Sequence, residues 1–139
     1  MEDLALRHTV RGILLWELEA RTAILHDEAG EAQLAEPRMR FYRNGRLASR
    51  LSAHNGRVLV QTHDVFLSNS VVLDTVEERT VLRTETLNYS SKRDLMTTDA
   101  DVHVQRPEGR LLGRGLEAKP DLSEIHVFNQ RSDVKARDS

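Results

Sequence analysis

Residues 38–62 read RMRFYRNGRLASRLSAHNGRVLVQT, a stretch in which Asn-Gly pairs separate runs of alternating apolar and polar residues. Alternation of this kind places the apolar side chains on one face of a pleated strand. Asn-Gly is a preferred sequence for a tight hairpin turn, because both residues tolerate the positive φ angles that the turn requires. Residues 41–53 and 51–62 are therefore predicted to form consecutive antiparallel hairpins.

Similar segments recur along the chain at a nearly constant spacing. The segments of one series are spaced by 33, 33 and 32 residues and end at Ala20, Ala53, Thr86 and Ala118. A second series falls between them, is spaced by 32 and 31 residues, and is marked by Met39, Val71 and Val102. Interleaved series with nearly the same period indicate a fold assembled from one repeated strand-turn unit. We therefore predict an all-β domain, with antiparallel strands over most of residues 12–130.

The N-terminal third is open to two interpretations. Residues 13–36 are rich in Leu, Glu, Ala and Gln, and helix propensity alone favours a helix there. Gly30 falls within this run, however, and Glu17 and Arg21 interrupt its helical apolar stripe. Residues 16–20 also match the later strand-like segments, so we predict strands in this region.

The composition bounds the class of protein. The 139 residues include 22 acidic and 20 basic side chains mixed along the sequence, which gives a formal net charge of −2. This balance gives no electrostatic basis for binding nucleic acid, which requires a basic surface. The absence of cysteine excludes disulfides and thiolate metal sites. We expect a single domain over residues 1–130, followed by a polar, disordered tail at residues 131–139.

No motif in the sequence predicts catalysis. We interpret His63-Asp64 as a solvated strand end rather than a ligand pair, and Asp99-Ala100-Asp101 as an acidic turn rather than part of a calcium loop. Gly113-Arg114-Gly115 precedes a strand-like segment, so its glycines indicate a bulge rather than a phosphate-binding loop. The six histidines form no pair at metal-binding spacing. We therefore expect a protein that is not an enzyme and that needs no metal or cofactor.

A group of arginines is open to two interpretations, as phosphate contacts at a rim or as the solvated face of two hairpins. Its members are Arg38, Arg40, Arg43, Arg46, Arg50 and Arg57. Alternation puts Arg38 and Arg40 on the face opposite Met39 and Phe41, so the solvated face is favoured.

Several short motifs follow one another in a fixed order along residues 5–130. They are Gly12-x-x-x-Trp16-x-Leu18-x-Ala20, Pro37-x-Met39-x-Phe41-Tyr42, Leu51-x-Ala53-x-x-Gly56, Ser68-Asn69-Ser70-Val71-Val72-Leu73, Thr84-Glu85-Thr86-Leu87-Asn88-Tyr89, and Gly113-Arg114-Gly115-Leu116-Glu117-Ala118 with Pro120-Asp121-Leu122. This order resembles the LptC-type periplasmic components of lipopolysaccharide export, within the OstA/LptA-like β-jellyroll family. The sequence departs from the family at Ser68, where glycine is expected.

The resemblance implies an open, twisted antiparallel β-jellyroll that holds acyl chains in an apolar trough. It further implies passage of lipopolysaccharide from an inner-membrane ABC transporter to a soluble periplasmic bridge protein, and head-to-tail stacking with related domains or a second copy. Members are periplasmic and anchored to the inner membrane by an N-terminal helix. The longest apolar run here, Ile13–Trp16, is too short to span a membrane, so we expect that this anchor is absent from the present sequence.

The apolar face of the strands supplies the candidate trough. Its predicted lining comprises Trp16, Leu18, Phe41, Leu51, Val60, Leu73, Leu82, Val104 and Leu116. An open sheet also leaves two edge strands, and exposed edges invite backbone pairing with another sheet. The predicted partner-binding edge comprises Glu124, Ile125, His126, Val127 and Phe128, with residues 4–8 or the strand at 13–20 forming the opposite edge.

Three other functions remain open on the sequence alone. The chain is alternatively the soluble bridge component of the same pathway, which shares the fold. A second alternative is a closed, lipocalin-like carrier of a small ligand, which requires a sealed sheet. A third is a structural adaptor whose inner face is a dry core.

Overall fold

The structure is a computed structural model that describes residues 2–129 and 131–132, and it contains twelve β-strands. In chain order these are β1 (Glu2–Val10), β2 (Ile13–His26), β3 (Glu31–Ala35), β4 (Arg38–Arg43), β5 (Arg46–Ser52), β6 (Asn55–Leu59), β7 (Val65–Thr75), β8 (Val81–Ser90), β9 (Leu95–Arg106), β10 (Gly109–Ala118), β11 (Ile125–Val127) and β12 (Arg131–Ser132). The described residues contain no helix, so the all-β prediction is confirmed and the alternative helix at 13–36 is wrong. Accordingly, none of them belongs to a helix capable of crossing a membrane.

All twelve strands belong to one antiparallel sheet. The short strands lie end to end: β4 pairs with the first half of β2 and β3 with its second half. In the same way β5 and β6 pair with the two halves of β7. The strands β8, β9 and β10 follow in order, β11 and β12 both pair with β10, and β1 pairs with β2. The sheet therefore has β1 at one edge and β11 with β12 at the other.

The long strands bend at one common line, called here the crease. In β7 the register shifts between Ser68 and Val71, where Asn69 and Ser70 adopt φ angles of 68° and 57°. In β10 it shifts at Gly115, whose φ of 93° is one that residues with a Cβ rarely adopt. Bulges bend a strand and increase its twist, so a row of them folds the sheet over.

The short strands end at the crease rather than bending there. The N–H of Glu36, between β3 and β4, donates to the carbonyl of His54 at 2.9 Å. The N–H of His54, between β5 and β6, donates in turn to the carbonyl of Asn69 at 3.0 Å. The break between β3 and β4, the break between β5 and β6 and the bulge in β7 therefore lie side by side across the sheet.

The crease gives the sequence repeat a physical meaning. Segments that end at Ala20, Ala53 and Thr86 reach the crease on strands running in the same direction, on β2, at the end of β5 and within β8. Met39 and Val71 lie just beyond the crease on strands running the opposite way. One period of the repeat is thus one upward and one downward passage of the chain, and each passage crosses the crease once, within a long strand or between two short ones.

Both halves of the folded sheet face a single core. The ring centroid of Tyr89 lies 6.2 Å from that of Trp16 and 5.1 Å from that of Phe41, although β8 is not a sheet neighbour of β2 or β4. The buried apolar side chains of every strand from β2 to β11 join this one cluster. The result is the open antiparallel jellyroll that the sequence predicts.

The two Asn-Gly pairs play different roles. Asn44-Gly45 forms the predicted turn between β4 and β5, with φ angles of 53° and 76°. The predicted hairpin over residues 51–62 is wrong, because Asn55 and Gly56 lie inside β6 and pair with β3 and β7. A Cβ on Gly56 would lie 2.8 Å from the Leu67 side chain and 3.1 Å from the Phe66 carbonyl oxygen, so glycine is favoured here by close packing rather than by a turn.

The sheet extends past the predicted end of the domain at residue 130. Arg131 and Ser132 form β12 and pair with Leu112 and Leu111 of β10, so these two residues do not belong to a disordered tail. The remainder of the predicted tail, 133–139, lies outside the described residues.

Candidate functional site

A continuous row of apolar side chains runs across the interior of the sheet. Its members are directly opposite one another on six successive strands and are called the apolar row: Leu18, Met39, Leu51, Leu73, Leu82 and Val104. None of them is more than 1% exposed. Directly paired side chains on one face of a sheet pack against each other, so the row forms one uninterrupted hydrocarbon strip.

The structure places eight of the nine predicted trough residues in the core, each at most 3% exposed. Five of the eight belong to the apolar row, Trp16 and Phe41 pair with each other beside it, and Leu116 lies on β10 beyond the crease. Val60 is the exception, because β6 ends at Leu59 and Val60 is 48% exposed. Its N–H donates to the Gly30 carbonyl at 2.9 Å, in a turn that interrupts the alternation on which its prediction rested.

The interior is filled by the chain's own side chains. The two halves of the sheet meet along a line opposite the crease, and this line is called the mouth. On one side of the mouth stand β1 and β2, and on the other the turns at 60–64 and 91–94. His8 Nδ1 lies 2.9 Å from His63 Nδ1, which joins the two sides. The His8 ring also stacks on Trp16 with centroids 5.1 Å apart and planes inclined by 12°.

A second set of contacts closes the mouth beside the segment that follows β10. Ser49 of β5 is fully buried, and its hydroxyl donates to the Pro120 carbonyl at 2.7 Å. The Arg43 guanidinium forms an ion pair with the Asp121 carboxylate. Both contacts join strands of the first half of the sheet to the loop that carries the chain towards β11.

Burial near the mouth favours the neutral forms of Tyr89 and His8. The buried Tyr89 hydroxyl donates to the Asp94 carboxylate at 2.7 Å. Burial, together with this hydrogen bond and the negative charge of Asp94, raises the pKa of Tyr89 far above its ordinary value. Burial and the adjacent His63 lower the pKa of His8, while Asp94 opposes that shift.

The arginine group lies on the outer surface and is extensively ion-paired. The Glu17 carboxylate accepts hydrogen bonds from the Tyr42 hydroxyl at 2.8 Å and from Arg40 and Arg7 at 3.1 Å. These contacts hold the pKa of Glu17 below its ordinary value. Arg57 pairs with a carboxylate of β3 at 3.1 Å. Such pairing fits the solvated face favoured from the sequence.

The predicted C-terminal edge forms β11 and its flanking residues. Phe128 N–H donates to the Gly115 carbonyl at 3.0 Å, and the Lys119 N–H donates to the Glu124 carbonyl at 2.9 Å. Hydrogen-bonded and non-hydrogen-bonded pairs alternate along an antiparallel ladder, so His126 also bonds to β10. The backbone N–H of Ile125 is consequently directed away from β10, towards the outer side of the edge.

The opposite edge is β1, which includes residues 4–8. Of the two strands considered from the sequence, the one at 13–20 is internal, because β2 pairs with β1 on one side and with β3 and β4 on the other. Within the part of the chain that the structure describes, β1 and β11 do not pair with each other. The sheet is therefore not sealed into a barrel. The lipocalin-like alternative requires such a sealed barrel.

Sequence reasoning missed the polar contacts of the mouth. His8 and His63 are 55 residues apart, and each was interpreted as an isolated histidine. Ser49 has the alternation of an inward-facing residue, but nothing local indicates its acceptor 71 residues away. Only the folding of the sheet brings these groups together, so no spacing rule reveals them.

These observations define a class: an edge-open antiparallel β-jellyroll around an apolar interior, in which the described residues contain no group of side chains that could hold a metal ion. Residues 2–136 match the sequence profile of the family described as lipopolysaccharide-assembly, LptC-related. The chain therefore belongs to the LptC-related family, as its motifs predict.

In fold the chain is similar to LptH of Pseudomonas aeruginosa, described as the LptA-homologous periplasmic component of the conserved lipopolysaccharide transport device. The TM-score is 0.61 at 11% sequence identity, and the match covers 88% of this chain and 89% of that one. At this identity the similarity supports the fold alone. No curated protein matches the chain in sequence.

Proposed function

We propose that this protein is a bridge component of lipopolysaccharide transport in the periplasm. In this role it holds the acyl chains of the lipid against the apolar row and passes the lipid from an inner-membrane ABC transporter to a soluble periplasmic partner. Membership of the LptC-related family supports the pathway. No enzymatic step is part of the proposal.

The observation that carries the proposal is the continuity of the apolar row across six strands. An acyl chain lying along this row would contact hydrocarbon over its whole length and leave no polar group unpaired. Because the interior is filled without ligand, entry requires the mouth to part. The two halves are joined there by a few polar contacts rather than by a strand ladder, so parting them leaves the sheet intact.

The sheet edges supply the proposed docking surfaces. We propose that β11 pairs with a strand of the soluble partner and β1 with the transporter or with a second copy of this chain, giving head-to-tail stacking. Ile125 directs its N–H outward, as such pairing requires. Attachment to the inner membrane is part of this proposal, and fractionation of cells that express the complete gene tests it.

Photo-crosslinking tests the proposed lipid site. We expect p-benzoylphenylalanine in place of Leu51 or Val104, both in the apolar row, to capture lipopolysaccharide on irradiation. The matched controls are Arg50 and His103, which are their exposed neighbours on the outer face. Capture from the outer positions alone, with the variants folded, would refute the interior site. Absence of capture from all four positions would favour a structural adaptor with a dry core.

The soluble bridge component of the same pathway is the second candidate. The fold similarity to LptH, a periplasmic component homologous to LptA, favours considering it. The two candidates differ in their contact with the inner membrane. Co-purification of the chain with the membrane-embedded transporter subunits supports the first candidate, and recovery only with soluble proteins supports the second.

A further inference from the structure

The only described contact between two histidines lies across the mouth, at the end of an edge strand. His8 is on β1, which pairs with β2 alone among the described strands, and His63 is in the turn between β6 and β7. Their Nδ1 atoms are 2.9 Å apart, and the His63 ring meets those of His8 and Trp16 edge-on at 5.1 and 5.8 Å. The turn is itself held in place, because the Ser91 hydroxyl donates to the His63 carbonyl at 2.6 Å.

A hydrogen bond between two Nδ1 atoms needs one donor and one acceptor. The accepting imidazole must be neutral, whereas the donating ring carries its hydrogen in either charge state. The pair therefore tolerates one proton but not two, because a second proton removes the acceptor and places two positive charges in contact. The second proton is therefore the one that breaks the contact.

The surroundings set the direction of this response. Facing the pair from the turns at 60–64 and 91–94 are Asp64, whose carboxylate accepts from the Ser91 N–H at 3.0 Å, and Asp94, which is bound by the Tyr89 hydroxyl. Burial and His63 lower the pKa of His8, and Asp94 only partly opposes this. A lowered pKa in the folded state means that the contact stabilises the fold above the ordinary histidine value of 6.5 and is lost as the pH falls below it.

We propose that His8 and His63 form a pH-sensitive latch that holds β1 across the mouth. At neutral pH the hydrogen bond joins the edge strand to the opposite half of the jellyroll. On acidification the doubly protonated pair repels, β1 separates from the turn at 60–64, and the mouth parts beside Trp16. The identity of the ligand that enters the opened mouth rests on the proposed function. The pH-sensitive contact between His8 and His63 does not.

Hydrogen exchange of the intact chain without lipid tests the latch. The informative variant is His63→Asn, because asparagine tolerates the φ of 62° found there and its amide occupies the place of Nδ1 without titrating. At about pH 7.5 wild type and variant are expected to exchange similarly over residues 2–10. At about pH 5 the wild type is expected to exchange about fivefold faster than His63→Asn, or more, because one lost hydrogen bond gives a factor of about this size.

Comparison at each pH separately removes the intrinsic pH dependence of exchange, and His103→Gln on the exposed face serves as a control that should follow the wild type. Equal exchange of wild type and His63→Asn at both pH values would overturn the latch. If His63→Asn does not fold, His8→Phe replaces it. That variant keeps the stacking on Trp16, and should exchange faster than wild type at neutral pH and equally at acid pH. No difference at neutral pH would again overturn the latch.

The result is independent of lipid binding. A chain whose exchange follows these expectations but which captures no lipopolysaccharide at Leu51 or Val104 would retain the latch and refute the proposed function. A chain that captures lipid but exchanges like His63→Asn at both pH values would retain the proposed function and refute the latch.

Discussion

At the scale of single residues, the jellyroll is stabilised by side chains that lie opposite one another across strands. Leu73 stands in the middle of the apolar row, between Leu51 on β5 and Leu82 on β8. It is completely buried, so its hydrocarbon is removed from water and also contacts both neighbours. Truncation at this position leaves a cavity that the two flanking strands cannot fill.

We predict that Leu73→Ala lowers the free energy of unfolding by about 3–5 kcal/mol, the usual cost of a lost buried leucine. Leu25→Ala is the matched control, because Leu25 is a β-strand leucine that is 55% exposed, and it should cost less than about 1 kcal/mol. Urea denaturation followed by circular dichroism measures both. Similar costs for the two variants would mean that the apolar row is not packed as described.

Tyr89 gives a prediction about pH. Its raised pKa means that the folded state favours the neutral phenol, so the stabilisation is complete below the ordinary value of 10.0 and is lost as the pH rises above it. Tyr89→Phe should reduce stability by about 1 kcal/mol near neutral pH, through loss of the hydrogen bond to Asp94. We expect this difference to shrink at about pH 11, measured by urea denaturation at both pH values. A difference that stays constant would contradict the assignment.

At the scale of strands, the sequence predicts where strands exist better than how they pair. Alternation identified β2 despite its helix-forming composition, because the buried positions Trp16, Leu18 and Ala20 follow a period of two. The same local signal at Asn55-Gly56 gave a false turn. Its cause is tertiary: two short strands meet the crease there, and the close approach of Leu67 selects glycine. A local rule does not distinguish these two uses of the same dipeptide.

The edge strand β11 provides a prediction about partners. Ile125→Pro removes the N–H that is directed outward while leaving the hydrogen bonds to β10 in place, so the fold should persist. We expect capture of the soluble bridge protein to weaken about five- to tenfold, whereas Glu124→Ala should change it little. Pull-down with each variant, alongside circular dichroism, measures both effects. Undiminished capture by folded Ile125→Pro would show that β11 does not pair through its backbone.

At the scale of the whole molecule, the family, the jellyroll and most of the apolar lining could be predicted from order and spacing of motifs. The closure of the mouth could not be predicted from the sequence. Alternation reports which face a residue occupies, but not whether the opposite half of the sheet covers that face. His8 with His63 and Ser49 with Pro120 are contacts between distant parts of the chain, and they arise only when the crease folds the two halves together.

Locking the mouth tests whether the interior must open to work. The chain has no cysteine, so the pair His8→Cys and His63→Cys gives a unique site for a short bis-maleimide crosslinker. We expect the crosslinked protein to lose most lipid capture at Leu51, because the two halves can no longer part. The same double variant without crosslinker should retain capture, since substitution alone frees the mouth. Equal capture in both states would show that lipid enters elsewhere.

The crease has a mechanical consequence. The strands rise about 3.3 Å per residue, so the side chains at the mouth lie about four residues, or about 13 Å, from the line of bulges. At this distance from the crease, a rotation of about 20° between the halves separates the two sides of the mouth by about 5 Å. Each strand would contribute a small change at a backbone position that is already irregular, such as Asn69, Ser70 or Gly115. The jellyroll can therefore open as a hinge about the crease. The backbone hydrogen bonds between paired strands stay intact as it opens.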